Sequence, residues 1–128
     1  MKVLFDTHLL LWAAAATDRL PKAAVDLMQD PETEPVFSMV SLWEIVIKAS
    51  LGRSDFRVNA GTLRDGLLGH GWSELNVRAD HVLAMSALPD AHRDPFDRLL
   101  VSQAIREQIK LITADTALSS YGSAVRVV

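Results

Sequence analysis

Asp6, Glu44, Asp97 and Asp115 are the residues in this chain whose type and placement could do chemistry together. Asp6 directly follows the apolar run Val3-Leu4-Phe5, and Thr7 and His8 come next. Glu44 follows the run Val36-Phe37-Ser38, and Asp115 follows Leu111-Ile112-Thr113. Asp94 and Asp97 open the helical segment that leads into that last run. Carboxylates brought close together raise each other's pKa, so such a cluster costs free energy unless a cation neutralises it. Aspartate and glutamate oxygens, in a chain with no cysteine and no paired-histidine spacing, suit Mg²⁺ or Mn²⁺ over Zn²⁺. Two such ions, about 3.5–4 Å apart, can activate a water and stabilise the leaving oxygen of a phosphodiester.

The elements that must position these acids can be read from the pattern around them. Val3-Leu4-Phe5 predicts a buried strand ending at Asp6, then a helix over Leu9 to Ala16 capped by Thr7. Pro21 opens a second helix to about Gln29, with Ala24, Val25 and Met28 as its apolar stripe. After the acidic turn Asp30 to Pro35, Val36-Phe37-Ser38 reads as a second buried strand. Met39 to Leu51 is the clearest helix, with Val40, Trp43, Ile47 and Leu51 spaced for one buried face and Gly52 as its stop. Arg53 to Val58 reads as loop. Asn59 caps a glycine-weakened helix to about His70, and Trp72 to Val77 is a short edge strand.

Ala79 to Leu88 forms a short helix before Pro89. Asp94-Pro95 then opens a strong helix to about Gln108, burying Phe96, Leu100, Val101, Ala104 and Ile105. Leu111 to Thr113 and Val125 to Val128 complete the strands. Strands alternating with helices of this length predict one α/β domain over residues 1–128, with a mostly parallel sheet and helices on both faces. In such sheets ligands bind beyond the carboxyl ends of the strands, the edge to which all four acids would come. Helix N-termini near Thr7 and Asp94 would add positive potential there for phosphate.

Every acid also has a purely structural reading. Ser41-x-x-Glu44 matches a capping box, and Glu44 to Lys48 is an i,i+4 ion pair. Asp94-Pro-Phe-Asp97 is a good helix start in its own right, and Asp115 could cap the turn from Thr116. It is their conjunction that favours a cation site.

Composition narrows the class without deciding the function. A hydrophobic share of 49% with 23% charged residues describes an ordinary folded domain. No apolar run reaches the ~18–20 residues of a membrane span, and the N-terminal pattern lacks a secretory cleavage site. Together with the absence of cysteine, this leads to the expectation of a cytoplasmic protein. Thirteen basic against 16 acidic residues give a net charge of −3, which speaks weakly against a general nucleic-acid binder but not against an enzyme whose acids hold cations.

Phe5-Asp6-Thr7-His8, Ser41-Leu-Trp-Glu44-Ile-Val-Ile-Lys48, the segment His92 to Ala104 containing Asp94-Pro-Phe-Asp97-Arg98, and Thr113-Ala-Asp115 together resemble the PIN-domain ribonucleases. Within them the likeness is closest to the toxin of VapBC-type toxin–antitoxin pairs. The resemblance runs end to end and in order. It implies a metal-dependent endoribonuclease cutting RNA, with Asp6, Glu44, Asp97 and Asp115 as site acids and Mg²⁺ or Mn²⁺ as cofactor. Asp6 and Asp97 are the firmest ligands it implies, with Glu44 ligating directly or through water. It further implies a VapB-like antitoxin partner and a homodimer, with the helix carrying Trp12 at the interface. Asp94 reads better as a cap than as a ligand, and His8 as packing or solvent-exposed.

Arg93, Arg98, Lys48, Arg53 and Arg57 could hold backbone phosphates or form ordinary surface ion pairs. Trp43 and Trp72 could stack bases, though a tryptophan in a helical stripe more often packs in a core. Two other enzyme classes fit worse. A haloacid-dehalogenase-type phosphatase wants a second acid where His8 stands, and an RNase H-like fold wants antiparallel strands where Leu9 to Ala16 forms a helix. A catalytically silent interaction module of the same fold and a PIN ribonuclease that is not a toxin stay open as alternatives.

Overall fold

The computed structural model describes residues 1–90 and 94–128, so His92 and Arg93 of the central motif lie outside the described residues. The strands, in chain order, are β1 (Lys2–Phe5), β2 (Glu34–Ser38), β3 (Ser73–Leu75), β4 (Lys110–Thr113) and β5 (Val125–Val127). They form one sheet in the order β3-β2-β1-β4-β5, with every pairing parallel. Leu4 is central, opposite Val36 on one side and Leu111 on the other.

Parallel strands are covered on both faces, which is why β1 is apolar at every inner position. Successive side chains point to opposite faces. Val3 and Phe5 accordingly pack with Phe37 and Ile112 under α1 (Thr7–Ala15), α2 (Lys22–Gln29) and α4 (Ala60–Gly69). Leu4 packs on the opposite face with Phe96, Leu100 and Val101 of α6 (Pro95–Glu107). α3 (Met39–Ser50) contributes to both clusters, Ile45 to the first and Val40 to the second. The α/β architecture and parallel sheet expected from the sequence are both present.

Several local expectations need correction. Asp6, not Thr7, caps α1: its side chain accepts a hydrogen bond from the Leu9 amide, and Thr7 is already helical and buried. Ser38 caps α3 through the Val40 amide, so Ser41 lies inside the helix and makes no capping box with Glu44. Pro21 takes the cap position of α2, whose buried residues are Ala24 and Leu27.

The largest departure is the orientation of α3. Its buried residues are Val40, Ser41, Glu44 and Ile45, while Trp43 is 51% and Leu51 73% exposed. The apolar periodicity of this helix is real, but the inward face carries the polar pair Ser41 and Glu44 because they have buried partners. Hydrophobic spacing alone cannot anticipate that.

Between Gly52, whose φ of 79° ends α3 in the left-handed region, and α4, the expected loop contains a 3₁₀ turn at Ser54–Phe56. That turn drives Phe56 wholly into the core. α5 (Ala79–Leu83) is shorter than expected and continues as a 3₁₀ turn at Ala84–Ala87. On α6, Ile105 is exposed, and Leu99, Ser102 and Gln103 join the buried set. No helix among the described residues is long and apolar enough to cross a membrane.

Candidate active site

The chain runs outward from β1 through β2 to β3 on one side, then crosses back to β4 and β5 on the other, so the strand order reverses between β1 and β4. A crevice opens at such a switch point, beyond the carboxyl ends of the strands. Asp6 ends β1 there and Thr113 ends β4 on the other side. The two residues are joined: the Thr113 hydroxyl donates to Asp6 Oδ2. Asp6 Oδ1 accepts the Leu9 amide at 3.0 Å. The carboxylate is therefore fixed at both oxygens and is 5% exposed. Burial pushes its pKa up, against the lowering effect of these two hydrogen bonds and of the nearby His8, while the charge of Glu44 pushes it further up. An ionised Asp6 is thus costly as the site stands, and a cation in the crevice would relieve that cost.

Glu44 is equally buried and reaches the same region from the second turn of α3. Its Oε1 lies 2.6 Å from the Thr7 hydroxyl, which is also 2.9 Å from the Ser41 hydroxyl. A carboxylate can only accept, and one hydroxyl carries one proton. The Thr7 proton therefore goes to Glu44, and Ser41 donates to Thr7. Glu44 Oε2 accepts from Lys48 Nζ at 2.5 Å, and the same ammonium donates to Asp94 Oδ2 at 3.1 Å. It also stands 5.0 Å from the Phe56 ring centroid and 5.4 Å from that of Phe96. Burial lowers the Lys48 pKa, but its two carboxylate partners more than reverse that and hold it raised.

Asp94 Oδ1 caps α6 by accepting the amides of Phe96 at 2.9 Å and Asp97 at 3.3 Å. Asp97 lies half-buried in the first turn of α6, which starts at the same sheet edge. Asp115 is exposed and caps the 3₁₀ turn after β4 through the Ala117 amide at 3.0 Å. Its own amide donates to the Thr113 hydroxyl.

The structure thus brings Asp6 and Glu44 together and couples Glu44 through Lys48 to the start of α6. Asp97 and Asp115 stand at the same edge on their own elements. Among the described residues no three His, Asp or Glu side chains converge as a ready-made metal cage. The donor chemistry nevertheless fits a hard divalent cation: oxygen ligands only, two of them on buried carboxylates, one of those destabilised as an anion.

Thr7, Ser41 and Thr113 complete the site. Thr7 and Thr113 hydrogen-bond the two buried acids and Ser41 hydrogen-bonds Thr7, and the signal for them in the sequence is a hydroxyl residue next to or near an acid at a strand end. His8 turns outward, 3.4 Å from Asp55 and edge-on to Phe56. Arg98 ties Pro89, Met85 and Tyr121 to α6 through hydrogen bonds. Arg53 and Arg57 are exposed. A separate apolar groove of about 610 Å³ lies between α1 and α4, lined by Leu10, Ala13, Leu63, Gly66 and Trp72 among others, and includes none of the four acids.

A parallel sheet with paired carboxylates at its switch point defines the class, and comparison with known proteins supplies the family. The PIN domain family model matches residues 3–123. The chain belongs to the PIN-domain family. Among curated proteins none matches it by sequence. Solved structures of similar fold include VapBC2 from Rickettsia felis bound to a DNA fragment from its promoter, with 15% identity and a TM-score of 0.72. That alignment covers 100% of this chain and 98% of the other. A toxin–antitoxin complex from Klebsiella pneumoniae gives 17% identity, a TM-score of 0.68, and coverage of 98% and 96%. VapBC-1 from nontypeable Haemophilus influenzae gives 17% identity, a TM-score of 0.62, and coverage of 99% and 98%. At these identities the likeness is one of fold.

Proposed function

We propose that this chain is a metal-dependent endoribonuclease, the toxin of a toxin–antitoxin pair, that hydrolyses phosphodiester bonds in RNA at the crevice between β1 and β4. The observation that carries the reading is the Asp6–Glu44 pair, two buried carboxylates at the switch point of a PIN-family sheet. Asp6 and Asp97 hold Mg²⁺ or Mn²⁺, with Asp115 and Glu44 completing the acid set. The ion supplies Lewis-acid polarisation of water and phosphate. Thr113 and the Leu9 amide keep the Asp6 carboxylate in one orientation, and Thr7 does the same for Glu44. The N-terminus of α6 directs positive potential toward the phosphate.

A VapB-like antitoxin is the partner proposed, supported by neighbours of the same fold that are toxin–antitoxin complexes. A homodimer is proposed on the family resemblance. The test is RNA cleavage by the purified chain with Mn²⁺, Mg²⁺ or EDTA, beside Asp6→Asn and Asp97→Asn. Cleavage that needs the ion and is lost in both variants supports the reading, and full activity in both variants overturns it. A silent interaction module is favoured by the exposed apolar residues Met39, Trp43 and Val46 on α3 and Leu51 just after it, and it would bind no Mn²⁺ at the acids. A PIN ribonuclease that is not a toxin would cleave RNA yet leave growth unaffected when expressed alone.

A further inference from the structure

Lys48 is bonded into the acid site, yet the proposed chemistry gives it no task. Its ammonium lies between carboxylates on two different helices, Glu44 of α3 and Asp94 at the cap of α6, and its side chain is 14% exposed. Two phenyl rings, Phe56 and Phe96, flank the charge and limit where it can move. Asp94 divides its oxygens: Oδ2 takes Lys48, and Oδ1 takes the amides of Phe96 and Asp97. A continuous chain of hydrogen bonds therefore runs from the Glu44 carboxylate through Lys48 and Asp94 to the backbone of Asp97. Glu44 meanwhile has Oε1 on Thr7 and Oε2 on Lys48, so each of its oxygens already has a cationic or hydroxyl partner.

We infer that Lys48 is a positioning residue that acts as the resident cation of the acid site, holding Glu44 out of direct metal ligation and setting its spacing from Asp97. This rests on the metal-dependent reading above and deepens it. Glu44 then acts on the ion at one remove, as a fixed negative charge, and Asp6 and Asp97 carry the direct bonds. A positive charge this close also opposes a divalent cation by Coulomb repulsion in a poorly solvated crevice. The lysine trades affinity for a defined geometry.

The consequence is a pair of effects with opposite signs. Lys48→Met removes the opposing charge and frees Glu44 Oε2 to bind the ion directly. Mn²⁺ affinity, measured by titration calorimetry on the purified chain, should rise by about tenfold or more. RNA cleavage at saturating Mn²⁺ should fall, because Glu44 would then compete with Asp97 as a direct ligand. Lys48→Arg keeps the charge and should hold Mn²⁺ affinity within about threefold of the parent. A lysine that merely supports the fold would lower affinity and rate together in Lys48→Met, and that result overturns the inference. So does unchanged affinity in a folded variant.

Should Lys48→Met unfold, Lys48→Met/Glu44→Gln removes the buried unpaired charge and restores folding. In the refolded double variant, affinity above that of Glu44→Gln alone supports the inference, and affinity equal to or below it overturns the inference. The two readings fail separately. If the parent binds Mn²⁺ and cleaves RNA while Lys48→Met binds no more tightly, only the lysine's role falls. If the parent binds no Mn²⁺ and Lys48→Met does, the lysine's role stands. If neither binds, both fall.

Discussion

Replacing Asp6 by asparagine separates its role as a cap from its role as a ligand. Asparagine caps helices about as well as aspartate, so the bond from the Leu9 amide survives, the Thr113 hydroxyl turns from donor to acceptor against the new amide nitrogen, and a buried anion is removed. Asp6→Asn should therefore melt at or above the parent temperature in EDTA. Asp6→Ala loses the cap and should be about 1 kcal/mol less stable. The unfolding entropy of a 128-residue chain is about 0.27 kcal/mol per kelvin, so 1 kcal/mol corresponds to about 4 °C.

A ligand at a hundred times its dissociation constant stabilises the folded state by about 2.7 kcal/mol. Mn²⁺ at that level should raise the melting temperature of the parent by about 10 °C. In Asp6→Asn at the same Mn²⁺ concentration, the rise should shrink to about 2 °C or less, because the buried charge that the ion neutralises is gone. Thermal melts followed by circular dichroism across a Mn²⁺ series, with an EDTA baseline, measure all of this. An Asp6→Asn protein that gains as many degrees from Mn²⁺ as the parent refutes the assignment of Asp6 as a metal ligand. An Asp6→Asn protein that melts as low as Asp6→Ala refutes the separation of the two roles.

Thr7→Val keeps the shape of the side chain but leaves Glu44 Oε1 without its donor, so it should cost about 1–3 kcal/mol, or about 4–11 °C in melting temperature. Thr7→Ser should stay close to the parent in the same melt. Phe56→Ala should cost about 3–5 kcal/mol in denaturant unfolding, since a fully buried ring is replaced by a cavity. Arg78 grips Asp80 and Glu107, holding the Asp80 pKa down at about 2, against a usual 3.8, and lowering that of Glu107. A depressed carboxylate pKa stabilises the fold above the unfolded value and loses that contribution as pH falls through the folded one. The gap in stability between the parent and Arg78→Ala should therefore narrow between about pH 4 and pH 2, and an unchanged gap across that window contradicts the pairing.

The elements of this fold were legible because buried parallel strands are apolar throughout. Val3-Leu4-Phe5 and Leu111-Ile112 announce themselves, and Asp94-Pro95 starts α6 where the sequence places it. Cap positions slipped by a residue or more because a cap depends on which side chain reaches an amide, as with Asp6 over Thr7 and Ser38 over Ser41. The turn of α3 about its axis was hidden for a deeper reason. Periodicity ranks positions by hydrophobicity, and Glu44 is buried only because Thr7 and Lys48, 37 and 4 residues away, satisfy it. The same nonlocality concealed Phe56 in a polar stretch. Of the acids, Asp6 and Glu44 are buried together at the crevice, whereas Asp115 is exposed at the same edge and caps its own turn.

The hydrogen bond between Thr113 and Asp6 closes a separation of 107 residues, nearly the whole described sequence. Contacts of such long range are among the last to form, because the entropy of closing the loop must be met before they contribute anything. At about 5–20 residues per second, synthesis exposes Asp6 and Glu44 several seconds before Thr113 exists. β1 is then an edge strand, with one wall of its crevice missing. A nascent or truncated chain therefore carries the first two acids without the threonine that fixes one of them. Only when β4 pairs beside β1 is the Asp6 carboxylate held at both oxygens, so a half-made molecule has one side of the crevice and not the other.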